Sequence, residues 1–565
     1  MRLRHAALAG LSLTLLSTVL GTALPAGAEG TSLTLTIVGT TDVHGHIYPT
    51  SYFGKNDEEN LGLAKVHTLV KELRAKNPHT LLVDSGDLLQ GSPLTYWHAR
   101  VAPKGTPNPM IDVMNRMGLV AFGVGNHEYN FGLAHLAQAR KESKFAWVSG
   151  NTYKAGTQHT QYEPYTIRNV GGVRVGIIGF TPPGVAIWDK AHVQGKLEFR
   201  DILASAKHWI PKMKAAGADV IVAIPHSGLG AEFCPYYTGY SESSGLPKEN
   251  VAADLARQFP EIDVIFPGHT HVEVQGMMIG KTAVAQAQKW GERLSVADLS
   301  LEKVNGHWQV TNKEARVLTT VGVKPDPEVK AWAKHAHEGT LAYVNSALCT
   351  TPDTWSTQRA MIEDTPIIDL INQVQLRKTK AQLSAAASFT SDAVIKAGKI
   401  TVADMAAIYP YENALVAIKL TGKQLKEYLE FSARIFAPFE SGKPVFAADV
   451  RGYNYDMVAG VTYDIDVRQP VDSRILNLTY QGKPVTDGQT FTMAMNSYRQ
   501  RGGGGFEMLK NCPVVYNQEE SIRDLMIDYL KDRKQLAAKD VFVKNWRLLP
   551  EAPVAADGKT YAAAQ

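Results

Sequence analysis

The chain has 565 residues, of which 44% are apolar and 20% charged, with a formal net charge of +4. That length supports two or three domains and a sizeable core. The near balance of charge excludes the long-range field with which proteins collect nucleic acid polymers. Residues 1–28 read as a secretory signal: Arg2 and Arg4 open it, "AALAGLSLTLL" is its apolar stretch, and "AGA" (Ala26 to Ala28) offers small residues for cleavage. An exported protein is therefore expected, in the periplasm or outside the cell, and losing the signal takes the charge to +2. No later run approaches the roughly 20 apolar residues of a spanning helix, so no membrane association is expected after signal removal. Cys234, Cys349 and Cys512 allow one disulfide and one remaining thiol, and their spacing does not pair them.

Residues 32–318 repeat one theme of strand, polar loop and helix. "SLTLTIVGT" predicts a strand followed by "TDVHGH", and "LAKVHTLVKEL" sets Leu63, Val66, Leu69, Val70 and Leu73 on one helical face. "TLLVD" leads into "SGDLLQGSP", "LVAFGV" into "GNHEYNFG", "VRVGIIGF" into "TPPG", "DVIVAI" into "PHSGLG", and "DVIFP" into "GHTH". "ILASAKHWIPKMKAAG" is a helix stopped by Gly217. This alternation implies an α/β layered domain, with ligands gathering outside the carboxyl ends of the strands. Residues 319–349 read as an exposed helical connector. Residues 350–548 form a second domain with helical "PIIDLINQVQLRKTKA" and strand-rich "VTYDIDV", "ILNLTYQGKPV" and "TFTMAMNSY", and the Ala- and Pro-rich residues 549–565 are expected to be a disordered tail.

The strand-end loops carry Asp42, His44, Asp87, Asn126, His127, His226, His269 and His271. Most are flanked by glycine, which lets backbone approach a crowded centre. Hard oxygens mixed with imidazole nitrogens suit Zn, Mn, Fe or Co rather than Ca. These groups exceed the needs of one ion and fit two, about 3.5–4 Å apart and sharing one carboxylate. His67, His79 and His98 read as structural or solvated, as does His46, which lies closer to the motif.

The series D-x-H, GD, GNHE, H, GHxH resembles the signature of the calcineurin-like metallophosphoesterases. Together with "GDLLQGSPL", "GNHEYNFGL", "FTPPGVAIWDK", "YNYDMVAGVTYDIDV", "NSYR" and "NWRL", it resembles the 2′,3′-cyclic-nucleotide 2′-phosphodiesterase/3′-nucleotidase branch over nearly the whole mature chain. The resemblance implies two central sheets flanked by helices plus a C-terminal α/β substrate domain of the 5′-nucleotidase type. It implies two divalent metal ions, one held by Asp42, His44 and His271, the other by Asn126, His226 and His269, with Asp87 bridging. It makes His127 a catalytic imidazole beside the metals, oriented by Asn130, where related 5′-nucleotidases have an aspartate.

In the second domain, "YPYEN" and "NSYRQRGGGGF" read as loops, and two loop tyrosines can sandwich a nucleobase. The family's stacking pair corresponds to Tyr411 and Tyr498, and a polar residue near the base or ribose to Asn413. Gly504 stands where 5′-nucleotidases carry a ribose-gripping aspartate, and Arg499 is a candidate phosphate contact. Asn130 and Gly504 both favour a hydrolase of 2′,3′-cyclic and 3′-nucleotides, and the protein is expected to be a monomer. The other reading is a 5′-nucleotidase or nucleotide-sugar hydrolase with the same metals.

Overall fold

The computed structural model describes residues 32–52, 59–233, 245–411, 413–509, 511–550, 553–555 and 558–562. The leader and Cys234 lie outside them. Among the described residues no helix is long and apolar enough to cross a membrane.

Apolar runs bounded by turn residues form two six-stranded sheets in the first half of the chain. In the first, the order is His307–Thr319, Arg293–Val304, Ser32–Thr40, Thr80–Asp84, Leu119–Gly123 and Ala146–Val148. In the second it is Glu273–Ile279, Thr282–Ala287, Val264–Ile265, Val220–Pro225, Val173–Phe180 and Tyr165–Val170. The central strands are parallel, as the crossover helices require: Thr36 to Thr40 pair with Thr80 to Asp84, and Val175 to Phe180 with Val220 to Pro225. Leu35, Ile37, Val83, Ile177, Val222 and Ile224 meet in the layer between the sheets. Two glycines permit an unusually close approach there. A Cβ on Gly123 would lie 2.5 Å from the Ile224 carbonyl oxygen, and one on Gly179 would lie 2.4 Å from that of Val148. The carboxyl ends of both sheets therefore open onto one place.

The helix Leu63–Lys76 buries Leu63, Val66, Val70 and Leu73, with Leu69 partly buried. The helix Ile202–Ala215 ends before Gly217, whose φ is 84°. The connector contains the helices Pro327–Trp332 and Lys334–Val344, but it is not simply exposed. Val329, Ala333 and Ala336 pack into the first domain's core. Its charged residues fill the outer face and hide this apolar stripe.

In the second half, Asp456–Ala459, Leu383–Ala387, Thr490–Asn496, Ala414–Thr421 and Val514–Ser521 form a five-stranded sheet, covered by the helices Pro366–Thr379 and Ile522–Lys531. Residues 553–555 and 558–562 correct the expectation of disorder for the part of the tail they cover. Pro444 bridges Thr560, Val554 bridges Tyr561, and the buried Tyr561 hydroxyl donates to the Ala437 carbonyl at 2.7 Å. One aromatic anchor outweighs the alanine-rich composition around it. Cys349 and Cys512 are buried free thiols, so no disulfide joins them.

Candidate metal centre

The strand Ser32–Thr40 runs out into Asp42 and His44, Thr80–Asp84 into Asp87, and Leu119–Gly123 into Asn126 and His127. From the other sheet, Val220–Pro225 delivers His226, and Val264–Ile265 delivers His269 and His271. Five of these residues have left-handed backbone: φ is 51° at Asp42, 49° at His44, 60° at Asp87, 74° at His269 and 55° at His271. Few non-glycine residues adopt this region. The local backbone is pinned to hold them there: the Asp42 and His44 N–H groups donate to the carbonyls of Gly86 and Asp87 at 2.9 and 2.8 Å. The Glu128 carboxylate accepts from the N–H groups of Asp87, Leu88 and Gly125 at 2.9, 2.7 and 2.8 Å. Burial, reinforced by Asp87, pushes the Glu128 carboxyl up to about 7.

The side chains converge. Asp87 Oδ2 lies 2.9 Å from His226 Nε2, 3.8 Å from His44 Nε2 and 4.0 Å from His127 Nε2. Asp42 Oδ1 lies 3.3 Å from His271 Nε2 and 3.8 Å from His226 Nε2. Two sets of donor atoms, Asp42–His44–His271 and Asp42–Asp87–His226, each fall within 4.8 Å of one another. The His269 ring centroid is 5.2 Å from that of His226, and its Nε2 is 3.7 Å from the buried Glu249 carboxylate. Asn126 is buried, and its Oδ1 has no hydrogen-bond partner among the described residues.

Elementary electrostatics tests whether a cation fits. His44 Nδ1 faces the Gln90 carbonyl at 2.7 Å and His226 Nδ1 the Ser85 carbonyl at 2.8 Å. A carbonyl only accepts, so each Nδ1 carries a proton and each Nε2 points inward, offering a lone pair when the ring is neutral. That is how outer groups orient metal-bound histidines. With a neutral ring His226 Nε2 and Asp87 Oδ2 would be two acceptors 2.9 Å apart, so a proton or a metal cation must lie between them. Burial alone would depress His226, yet Asp87 and Asp42 outweigh it and push its pKa up to about 10. Burial alone would also raise the two aspartates, but the surrounding imidazoles hold Asp42 below and Asp87 well below the usual carboxylate range. His44, where burial dominates, drops to about 3. With the orphaned Asn126 oxygen, this donor set fits divalent cations.

Gly91 makes the cradle testable. Its φ is 133°, and a Cβ there would lie 2.6 Å from the His44 Cβ and 2.7 Å from its Nδ1. Gly91→Ala is expected to tilt His44 and weaken Mn²⁺ or Zn²⁺ binding about 10- to 100-fold. Calorimetric titration of the metal-free protein checks this, and unchanged affinity would refute it.

His127 stands at the rim, its side chain 37% exposed, with Nδ1 2.6 Å from Asn130 Oδ1. The Asn130 amide nitrogen donates to Asp189 at 2.9 Å. In the second domain Tyr411 and Tyr498 are 45% and 38% exposed, enough to offer ring faces, and Asn413 is half-buried beside Tyr411. Tyr498 lies not in a loop but in the one-turn helix Ser497–Gln500, and Arg501 at the end of that helix donates to the Trp188 carbonyl at 2.7 Å, the Trp188 ring being 5.6 Å from that of His269. The Tyr498 segment is thereby attached to the rim of the centre. Three residues have no role in the sequence reading: Glu128, Asp189 and Glu249. Glu128 sits inside the GNHE motif and Asp189 inside "FTPPGVAIWDK", while Glu249 carries no local signal.

Residues 35–273 match the calcineurin-like phosphoesterase family and residues 347–511 the 5′-nucleotidase C-terminal domain. The chain is 34% identical to the 2′,3′-cyclic-nucleotide 2′-phosphodiesterase/3′-nucleotidase of Haemophilus influenzae, covering 93% of this chain and 89% of that one. It is 31% identical to the protein of the same name from Salmonella typhimurium, over 94% and 92% of the two chains. The chain belongs to this family. A crystal structure of a putative 5′-nucleotidase from Staphylococcus aureus, in complex with alpha-ketoglutarate, has the same architecture. Its TM-score is 0.75 at 26% identity, covering 91% of this chain and 100% of that one.

The protein is thus a metal-dependent phosphoric ester hydrolase, with the two-sheet domain and C-terminal domain that the motifs imply. One expectation fails in the second domain. Arg499 does not face a phosphate: it is 1% exposed, and its Nε and Nη2 grip Asp456 at 2.7 and 3.1 Å while Nη2 also donates to the Tyr453 carbonyl at 2.8 Å. It holds the Tyr498 segment from behind.

Proposed function

We propose that the mature protein is an exported enzyme that opens 2′,3′-cyclic nucleotides to 3′-nucleotides and then hydrolyses these to nucleosides and phosphate. Two divalent cations would be held by Asp42, His44 and His271 and by Asn126, His226 and His269, with Asp87 between them. When bound, they supply charge that polarises the phosphoryl oxygens and acidifies water. The convergence of both aspartates on the inward-facing imidazoles carries the reading, because Asp87 Oδ2 lies within 4.0 Å of three of them.

The chain's own groups do the rest by positioning and charge. Tyr411 and Tyr498 sandwich the base, with Asn413 at its edge. With Nδ1–H held by the Asn130 oxygen, His127 can carry a second proton at Nε2 and deliver it to the departing ribose oxygen. Both steps expel a ribose oxygen from phosphorus, so one centre serves both after the substrate turns or rebinds. A 5′-nucleotidase reading has the S. aureus likeness in its favour. Comparing kcat/KM for 2′,3′-cyclic AMP, 3′-AMP and 5′-AMP separates the two. Preference for the first two, by about 10-fold or more, is expected, and preference for 5′-AMP would overturn the proposal.

A further inference from the structure

The motif "FTPPGVAIWDK" holds a carboxylate that neither the metals nor the fold explains. Asp189 is only 6% exposed, its Oδ1 accepts from Asn130 Nδ2 at 2.9 Å, and its Oδ2 is buried with no hydrogen-bond partner among the described residues. A buried carboxylate so poorly satisfied costs stability. Such groups call for an explanation outside folding. Beyond Asn130 stands His127, its Nδ1 2.6 Å from Asn130 Oδ1. The three side chains form a line, carboxylate to amide to imidazole, that ends at the rim of the metal centre.

The polarity of that line follows from its far end. Burial raises the Asp189 carboxyl, opposed by the Asn130 hydrogen bond and by Arg501, and in its ionised form it only accepts. Asn130 must therefore present its NH₂ to Asp189 and its oxygen to His127, which obliges His127 Nδ1 to be the donor. Without that anchor the amide can turn by 180°, offering NH₂ to Nδ1. In that orientation the hydrogen bond runs the other way, from the amide to a bare Nδ1. A neutral amide next to histidine has no preferred direction of its own, so Asn130 alone cannot select the proton-donating form.

We propose that Asp189 is a positioning residue for the reaction: it locks the Asn130 amide in the orientation that keeps Nδ1 of His127 protonated and frees Nε2 to pass a proton to the leaving oxygen. The inference rests on the reading of His127 as the proton donor, and the experiment separates the two. The proton moves from Nε2 to the ribose oxygen as the P–O bond breaks, and Asp189 and Asn130 exchange none.

Turnover of 3′-AMP is measured for the full-length, metal-loaded protein and four variants: His127→Ala, Asp189→Asn, Asn130→Asp and the Asn130→Asp/Asp189→Asn double. Asp189→Asn is expected to lower kcat by about 10- to 100-fold with little change in KM, as loss of an orienting partner does. Asn130→Asp alone sets two carboxylates against each other where the wild type has a 2.9 Å hydrogen bond, and it falls as well. The double variant reverses the pair: a carboxylate at 130 accepts from Nδ1–H, and the amide at 189 donates to it. Its kcat is expected to return to within roughly 3-fold of wild type, since the same proton position is restored. Asp189→Ala, which removes the acceptor without adding a donor, serves if Asp189→Asn does not fold.

A second readout needs no turnover. In metal-free protein labelled with ¹⁵N-histidine, the Nδ1–H signal assigned by its loss in His127→Gln should vanish in Asp189→Asn and return in the double. If His127→Ala lowers kcat but Asp189→Asn matches wild type, or the double is no better than the worse single, the assignment to Asp189 is overturned. If His127→Ala keeps wild-type kcat, the proton-donor reading itself fails.

Discussion

Asp87→Ala is expected to lower kcat for 2′,3′-cyclic AMP and 3′-AMP by about 10³-fold or more, and to reduce metal content measured by elemental analysis. Loss of an outer group that merely orients a ligand typically costs 10- to 100-fold, and Asp87 is no outer group. Its Oδ2 lies 2.9 Å from His226 Nε2 and within 4.0 Å of His44 and His127. Its Oδ1 accepts the His127 backbone N–H at 2.8 Å, so the segment bearing His127 loses an anchor at the same time. Removing the carboxylate leaves a cluster of imidazoles facing one another with less negative charge to hold a cation. A variant that keeps its metal and more than about a tenth of wild-type kcat would remove Asp87 from the centre of the site.

Arg499→Met is expected to be the most destabilising single change in the second domain, by about 3–5 kcal/mol, because it leaves a buried carboxylate without its partner. Arg499 and Asp456 are both almost wholly inaccessible. The guanidinium also lies 4.0 Å from the Phe506 ring centroid and donates to the Tyr453 carbonyl. Denaturant titration followed by tyrosine and tryptophan fluorescence measures the loss. Replacing both partners, as Arg499→Met/Asp456→Leu, should recover part of it. A midpoint equal to wild type would show that the pair contributes nothing to the domain.

The contrast between these two residues explains what is legible in the sequence. Each metal-facing residue follows a short apolar run by a few positions, so the strand that ends there and the group it delivers are written side by side. Asp87 and His226 are found that way. Glu128, by contrast, acts on the Asp87 backbone from 41 residues downstream, and Asp189 reaches Asn130 across 59 residues. No local pattern records such pairings. Arg499 misleads for the same reason: "SYRQRGGGG" has the composition of an exposed loop, but Asp456, on a strand 43 residues earlier, draws the arginine inward. The tail and the connector fail in the opposite direction, where polar or alanine-rich sequence conceals Tyr561, Val329 and Ala336 as anchors.

The left-handed backbone at Asp42, His44, Asp87, His269 and His271 has a consequence for engineering. Each such residue sits about 1 kcal/mol or more above its relaxed conformation, and glycine would sit there comfortably. Thermostability screens blind to turnover should therefore drift toward glycine at these five positions, discarding activity as they gain heat resistance. Selection for catalysis and selection for robustness pull this chain apart at the same handful of peptide units.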